Sequence, residues 1–216
     1  MVFELRLIED SPYAGTTPEP LPACPRAIYV AAGQVTINDR VLPSDEGIVS
    51  ADALTISVAE SGTTLWRWEI APAQSAAKPI DGRGHVKLCH SIEPERIADE
   101  LLLRLDSVAF PPGGCALPHT HRGSGTRCLK EGSIRIDTEG RSASYTPGGP
   151  WFETGPEPVF AQADERIASR FIRAMVLPRS LMGTSSISYV NEEDKAKPKL
   201  QSYRVFDEAA IEILDP

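Results

Sequence analysis

Pro118-His119-Thr120-His121 decides how this chain is read: two of the four histidines in its 216 residues stand two positions apart, close to an apolar, strand-like run. Side chains at i and i+2 of an extended strand share a face, so both imidazoles can reach one point inside a β structure. Gly113 and Gly114 precede the pair and Gly123, Gly125 and Gly132 follow it, which marks sharp turns between strands and not a helix carrying two histidines. An imidazole pair on one strand face is half of a divalent-metal site, and a pair of surface histidines is the competing reading.

Outward from this stretch the chain is built of short β-branched runs. Ala27-Ile28-Tyr29-Val30 leads through Gly33 to Val35-Thr36-Ile37; then come Gly47-Ile48-Val49, Leu54-Thr55-Ile56-Ser57-Val58 and Thr64-Leu65-Trp66-Arg67-Trp68-Glu69-Ile70. Gly, Asp, Ser and Pro separate the pieces, the pattern of a many-stranded sandwich or barrel. The order then returns. Arg127 to Ile136, around Gly132, parallels Ile28 to Ile37, and Phe171 to Pro178 parallels Leu65 to Pro72. This predicts an internal duplication, the second copy being longer around Thr146-Pro147-Gly148-Gly149-Pro150-Trp151-Phe152-Glu153. The first copy has no H-x-H, and its Pro12 to Pro25 approach would make a poor metal site.

The chain divides on this reading into residues 1–80, a connector at 81–102, a core at 103–178 and a strand-bearing tail at 179–216. One or two helical turns are expected over Glu93 to Glu100, a strand over Leu101 to Phe110, and a short terminal helix over Asp207 to Leu214. Of Trp66 and Trp68, one is expected to pack inward and the other to cover a dimer or inter-domain face.

Composition narrows the function. A net charge of −8 with no clustered Lys/Arg patch repels nucleic acid and anionic membranes, so neither is an expected partner. No run of apolar residues is long enough to span a bilayer, and Met1-Val2-Phe3-Glu4 opens no signal-peptide pattern, so the cytoplasm is the expected compartment. Cys24, Cys89, Cys115 and Cys128 have no C-x-x-C spacing and read as reduced, packing residues. Cys115 and Cys128 flank the histidines closely enough to wall a site.

With these residues in view, the sequence resembles the cupin family in a duplicated, bicupin-like form. Pro118-His119-Thr120-His121 and Leu129-Lys130-Glu131-Gly132 match the first cupin motif, and Pro147-Gly148-Gly149 supplies the turn of the second. The likeness covers Leu103 to Pro178 well and Ala27 to Pro72 loosely. It implies an all-β fold, a double-stranded β-helix or jelly-roll barrel, duplicated and degenerate in its N-terminal half. It also shows departures: Gly125 stands where the family carries a metal-binding Glu, and Phe152 where it carries a second-motif His. Cupins include dioxygenases, isomerases, lyases and noncatalytic binding proteins, so the fold leaves the reaction open.

Glu153 is the local candidate to complete a site, because Trp151 and Glu153 share a strand face that a one-residue bulge could turn inward. His119, His121 and Glu153 would then form a facial set for a divalent metal, iron or manganese ahead of zinc; solvent exposure of Glu153 is the alternative. Arg127 and Arg173 interrupt strand-like segments and, if inward, need a carboxylate, either Glu153 or one on a substrate. A rim salt bridge is the plainer reading of both. Tyr145 could place its hydroxyl near the site or serve as an edge-strand aromatic, and His85 and His90 read as exposed or supporting. The expected function is a metal-dependent cupin enzyme, dioxygenase-like, acting on a small polar carboxylate or ring compound. The alternatives are a noncatalytic ligand-binding or sensing cupin and a metal-dependent isomerase or lyase. A homodimer is compatible with the strand-rich edges.

Overall fold

A computed structural model describes residues 2–15 and 19–213, the side chains of Glu19 and Glu95 aside. The first half contains β1 (Phe3–Asp10), β2 (Glu19–Leu21), β3 (Arg26–Ala32), β4 (Gln34–Ile37), β5 (Arg40–Pro43), β6 (Gly47–Ser50), β7 (Leu54–Ser57), β8 (Thr64–Pro72) and β9 (Gly84–Ile92). The second contains β10 (Leu101–Phe110), β11 (Cys115–His121), β12 (Gly125–Glu131), β13 (Ile134–Thr138), β14 (Arg141–Tyr145), β15 (Pro150–Glu153), β16 (Val159–Ala163), β17 (Ser169–Pro178), β18 (Ile187–Tyr189) and β19 (Ser202–Ile211). Single 3-10 turns are the only helical elements among the described residues.

The strands pair antiparallel into four sheets, β6-β3-β8-β1-β9 and β2-β7-β4-β5 in the first half, β15-β12-β17-β10-β19 and β14-β13-β16-β11-β18 in the second. Shifting each first-half label by nine reproduces the second half, except that β19 takes the place equivalent to β9 and β18 is an added edge strand. Gly33 and Gly132, the repeat landmarks, both turn the chain at positive φ, 75° and 79°, a conformation glycine adopts without Cβ strain. The architecture is thus cupin-like and doubled. The sheets do not join into closed barrels; within each half two sheets face each other through side chains and not through a continuous ladder.

Three apolar layers follow from strand alternation. Ile28, Val30 and Leu65 face Val35, Ile37 and Ile56 inside the first half. Val108, Leu129, Trp151 and Phe171 face Ile134, Ile136 and Ala161 inside the second. Between the halves the outer faces of the two large sheets pack together, Leu5, Leu7, Tyr29, Trp66 and Trp68 against Leu103, Leu105, Cys128, Ile172 and Ala174. Both tryptophans therefore point the same way, as residues two apart on one strand must, and neither covers a free face. Cys128 is sealed in that layer, where burial pushes its thiol up to about 12.

Three local expectations change. Asp207 to Ile211 belongs to β19 and not to a helix, because pairing with β10 along Leu101 to Ala109 covers that strand's edge; Leu214 lies outside the described residues. Within the stretch read as a connector, β9 runs the length of β1. The helical expectation after it reduces to one 3-10 turn at Pro94–Arg96.

Candidate functional site

The histidine-bearing strand β11 lies in the small sheet of the second half, between β16 and the added strand β18. His119 and His121 share its inward face and are 5% and 4% exposed, with ring centroids 4.9 Å apart. His119 Nδ1 donates to the Leu117 carbonyl at 2.7 Å. His121 Nδ1 lies 3.2 Å from Ser186 Oγ, and that hydroxyl itself donates to Met175 Sδ at 3.9 Å, which leaves its lone pairs for a proton on Nδ1. The Leu117 carbonyl fixes the His119 proton on Nδ1, and a proton on Nδ1 of His121 satisfies its Ser186 contact in the same way, which leaves both Nε2 atoms bare. Burial lowers the pKa of His119. Burial first, then the Arg173 and Arg127 charges, holds His121 well below the usual imidazole range. Both rings are neutral near pH 7.

The facing large sheet contributes the charges. In β15 the ladder with β12 runs without a register shift, Gly125 opposite Glu153 and Arg127 opposite Trp151, so ordinary alternation turns Trp151 and Glu153 inward and the expected bulge is absent. Phe152 points the other way, toward the first half, where His90 stacks on it at 3.9 Å. Trp151 Nε1 donates to Glu153 Oε1 at 2.8 Å. Glu153 Oε2 lies 2.6 Å from Arg127 Nη2 and 3.8 Å from His121 Nε2.

Arg127 and Arg173 are cross-strand neighbours and both line the cavity. Arg173 is closed on Asp106 by two bonds, 2.6 and 3.1 Å. Arg127 is 1% exposed, donates through Nη1 to the Gly125 carbonyl at 2.5 Å, and is pushed down to about 10 by burial, with Glu153 working against that shift. Its Nε and Nη2 find no aligned hydrogen-bond acceptor among the described residues; the Glu153 contact is close enough for an ion pair without being aligned as a hydrogen bond.

His119, His121, Arg127, Glu153 and Arg173, with Val108, Phe110, Ala116, Phe171, Ile187 and Tyr203 among the walls, thus converge on one cavity. Its free space is about 20 Å³, room for one ion or water molecule. Tyr145 is not among its walls; it stacks on Trp151, centroids 4.8 Å apart. His85 and His90 are exposed. Glu153 also walls a larger outer cavity of about 170 Å³, shared with His90, Thr138, Glu139, Phe152, Thr154 and Glu157. Asp106, Ser186 and Tyr203 were not anticipated from the sequence. Asp106 was discoverable, as the one acid in an apolar strand matching the arginine that interrupts the apolar run Phe171 to Met175 of another; Ser186 and Tyr203 sit in tail segments without a motif.

A divalent ion fits this donor chemistry: two neutral imidazoles with Nδ1 anchored and Nε2 bare are oriented as metal ligands are. The expected three-ligand cage is nevertheless not assembled. Among the described residues no three His, Cys, Asp or Glu side chains form a metal-holding group, because Arg127 holds the carboxylate. Gly125, where the cupin resemblance would place an acid, has no room for a side chain, since a Cβ there would lie 2.5 Å from the Ala174 carbonyl oxygen.

The corresponding place in the first half is filled. Arg67 bonds Asp10 at 2.8 and 3.2 Å, Glu69 at 2.5 Å and the Lys78 carbonyl at 2.7 Å, while Arg26 reaches Glu69 at 3.2 Å. Ile28 stands opposite Arg67 there, as Arg127 stands opposite Arg173.

No protein-family model matches the sequence, and no curated protein matches it. Solved structures do resemble the fold. Salicylate 1,2-dioxygenase from Pseudoaminobacter salicylatoxidans, a mutant in complex with gentisate, aligns at TM-score 0.55 and 11% identity over 94% of this chain and 73% of that one. AerE from Microcystis aeruginosa aligns at TM-score 0.53 and 11% identity, over 81% and 87% of the two chains. At such identity the likeness is one of architecture, that of bicupin proteins, dioxygenases among them. No helix among the described residues is long and apolar enough to cross a membrane.

Proposed function

We propose that the second half is a small-molecule cupin site holding a divalent metal, iron or manganese ahead of zinc, on His119 and His121 with Glu153 as third ligand, and that it oxidises a small carboxylate. The observation that carries this is the pair of bare Nε2 atoms fixed by Leu117 and Ser186 and aimed into one cavity. A bound iron would supply Lewis acidity and dioxygen chemistry there. The protein's own groups do the rest. Arg127, whose Nε and Nη2 lack an aligned hydrogen bond and whose Nη2 is ion-paired to Glu153, would offer that Nε–Nη2 edge to a substrate carboxylate once Glu153 leaves it, a geometry suited to bidentate recognition. Arg173, closed on Asp106, frames the charge and is not the anchor. Val108, Phe110 and Phe171 exclude water from the centre. Glu139 and Glu157 border the outer cavity, so the portion of substrate beyond its carboxylate is uncharged or cationic.

A noncatalytic ligand-binding reading has one observation in its favour: Glu153 already neutralises Arg127, a closed pair that needs no metal. Oxygen uptake and product formation by anaerobically iron-loaded protein, screened across small carboxylates, separate the readings. Oxygen-dependent turnover lost in His119→Ala is expected. Turnover without oxygen indicates an isomerase or lyase, and saturable binding without turnover indicates the binding protein; either overturns the oxidative reading.

A further inference from the structure

Glu153 Oε2 has two claimants. It lies 2.6 Å from Arg127 Nη2 and faces His121 Nε2 across 3.8 Å, while its other oxygen is engaged by Trp151. Arg127 in turn has one carboxylate partner, because its cross-strand neighbour Arg173 keeps Asp106 to itself. With neutral imidazoles, the two arginines of the cavity and their carboxylate partners, Glu153 on its wall and Asp106 behind Arg173, sum to zero charge. A dication added to that set leaves an excess of positive charge in a nearly dry interior, where an uncompensated charge is costly. If Glu153 turns toward the imidazoles, Arg127 is left buried with only the Gly125 carbonyl. Complete pairing is achievable in this fold: in the first half, Asp10, Glu69 and Lys78 together supply acceptors to all three guanidinium nitrogens of Arg67.

We infer that metal and anion bind to this site as a linked pair through Arg127: Glu153 passes from the guanidinium to the imidazole pair only when a carboxylate from outside takes the Nε–Nη2 edge of Arg127. The inner cavity, about 20 Å³, has no room for an organic ligand in addition to an ion. The outer cavity, about 170 Å³, has, and Glu153 is a wall of both. On this inference the movement of Glu153, the wall common to both, toward the histidines is what lets an incoming carboxylate reach Arg127. The ligand class is a compact monocarboxylate, since Glu139 and Glu157 border the outer cavity and repel a second negative charge. This inference rests on the metal reading above.

The test is Mn²⁺ binding to metal-stripped protein, followed by the electron paramagnetic resonance of free Mn²⁺, in chloride buffer and again with saturating acetate or benzoate. Mn²⁺ affinity of the wild type is expected to rise roughly tenfold or more with carboxylate, within the ordinary range of coupling between sites, and carboxylate affinity must rise by the same factor with Mn²⁺. Arg127→Met is expected to bind Mn²⁺ tightly without carboxylate and to lose the dependence, which excludes simple chelation of Mn²⁺ by the anion. Arg127→Lys, retaining the charge without the fork, is expected to show a weakened dependence. The wild-type comparison stands alone if a variant does not fold. Mn²⁺ bound equally with and without carboxylate overturns the linkage and leaves the metal reading intact. Absence of Mn²⁺ binding in wild type and variants under every condition overturns both.

Discussion

Replacing Glu153 by Gln removes the one carboxylate beside a guanidinium that is 1% exposed. Breaking a buried ion pair from one side costs about 3–5 kcal/mol, since the remaining charge stays desolvated. The amide oxygen can still accept from Trp151 Nε1, as Oε1 does at 2.8 Å, which places the loss near the lower end, on the order of 3 kcal/mol. For a chain of this length that corresponds to a fall in Tm of about 6–12 °C. Arg127→Met alone leaves the carboxylate with Trp151 and no cation. The double variant Glu153→Gln/Arg127→Met removes both charges, and exchange of a buried pair for neutral groups is commonly close to neutral. Urea unfolding of the four proteins closes the cycle. A coupling of about 2 kcal/mol or more is expected, the double variant being more stable than the sum of the single losses. Single and double losses that add within about 0.5 kcal/mol would refute the claim that these side chains balance each other's charge.

Other outcomes follow from the same geometry. His119 and His121 sit below their ordinary value of 6.5, so the unfolded chain binds protons that the folded one refuses. Stability is then fully present above about pH 6.5 and is lost as pH falls toward the depressed folded values. Urea midpoints across the acid range should show that slope, and the double His→Gln variant should flatten it; a gain in stability on acidification would contradict the assignment of neutral imidazoles. Gly125→Ala sets a Cβ 2.5 Å from the Ala174 carbonyl oxygen and should cost about 1–3 kcal/mol in urea unfolding; unchanged stability would contradict the close strand approach. Asp10→Asn removes one of the two carboxylates that pair the buried Arg67 and should cost about 1–3 kcal/mol, Glu69 and the Lys78 carbonyl still accepting from the guanidinium. It should leave metal content unchanged, and a loss of metal in folded Asp10→Asn protein would show that the first half serves the site.

Strand content and duplication were legible because both rest on local patterns: β-branched runs, and the turn glycines Gly33 and Gly132, which require positive φ. The inward pair at His119 and His121 was legible from strand periodicity alone. The orientation of Glu153 needed only that same alternation, and the bulge invoked for it proved unnecessary because Phe152 faces the first half. What local pattern could not show was competition between long-range partners. Whether Glu153 serves Arg127 or the histidines depends on Asp106 having taken Arg173, a pairing across 67 residues. The half of β19 from Asp207 onward was misread for a related reason, since a short amphipathic acidic run suits a helix until a sheet edge such as that of β10 captures it.

The central claim, that His119 and His121 are metal ligands, is tested most directly by elemental analysis. Untagged wild type and a His119→Ala/His121→Ala variant would be equilibrated with Fe²⁺ or Mn²⁺ in the presence of acetate and then desalted. The account predicts a single retained ion per wild-type chain and none in the folded variant. Equal metal in the two proteins, or negligible metal in both, would contradict it.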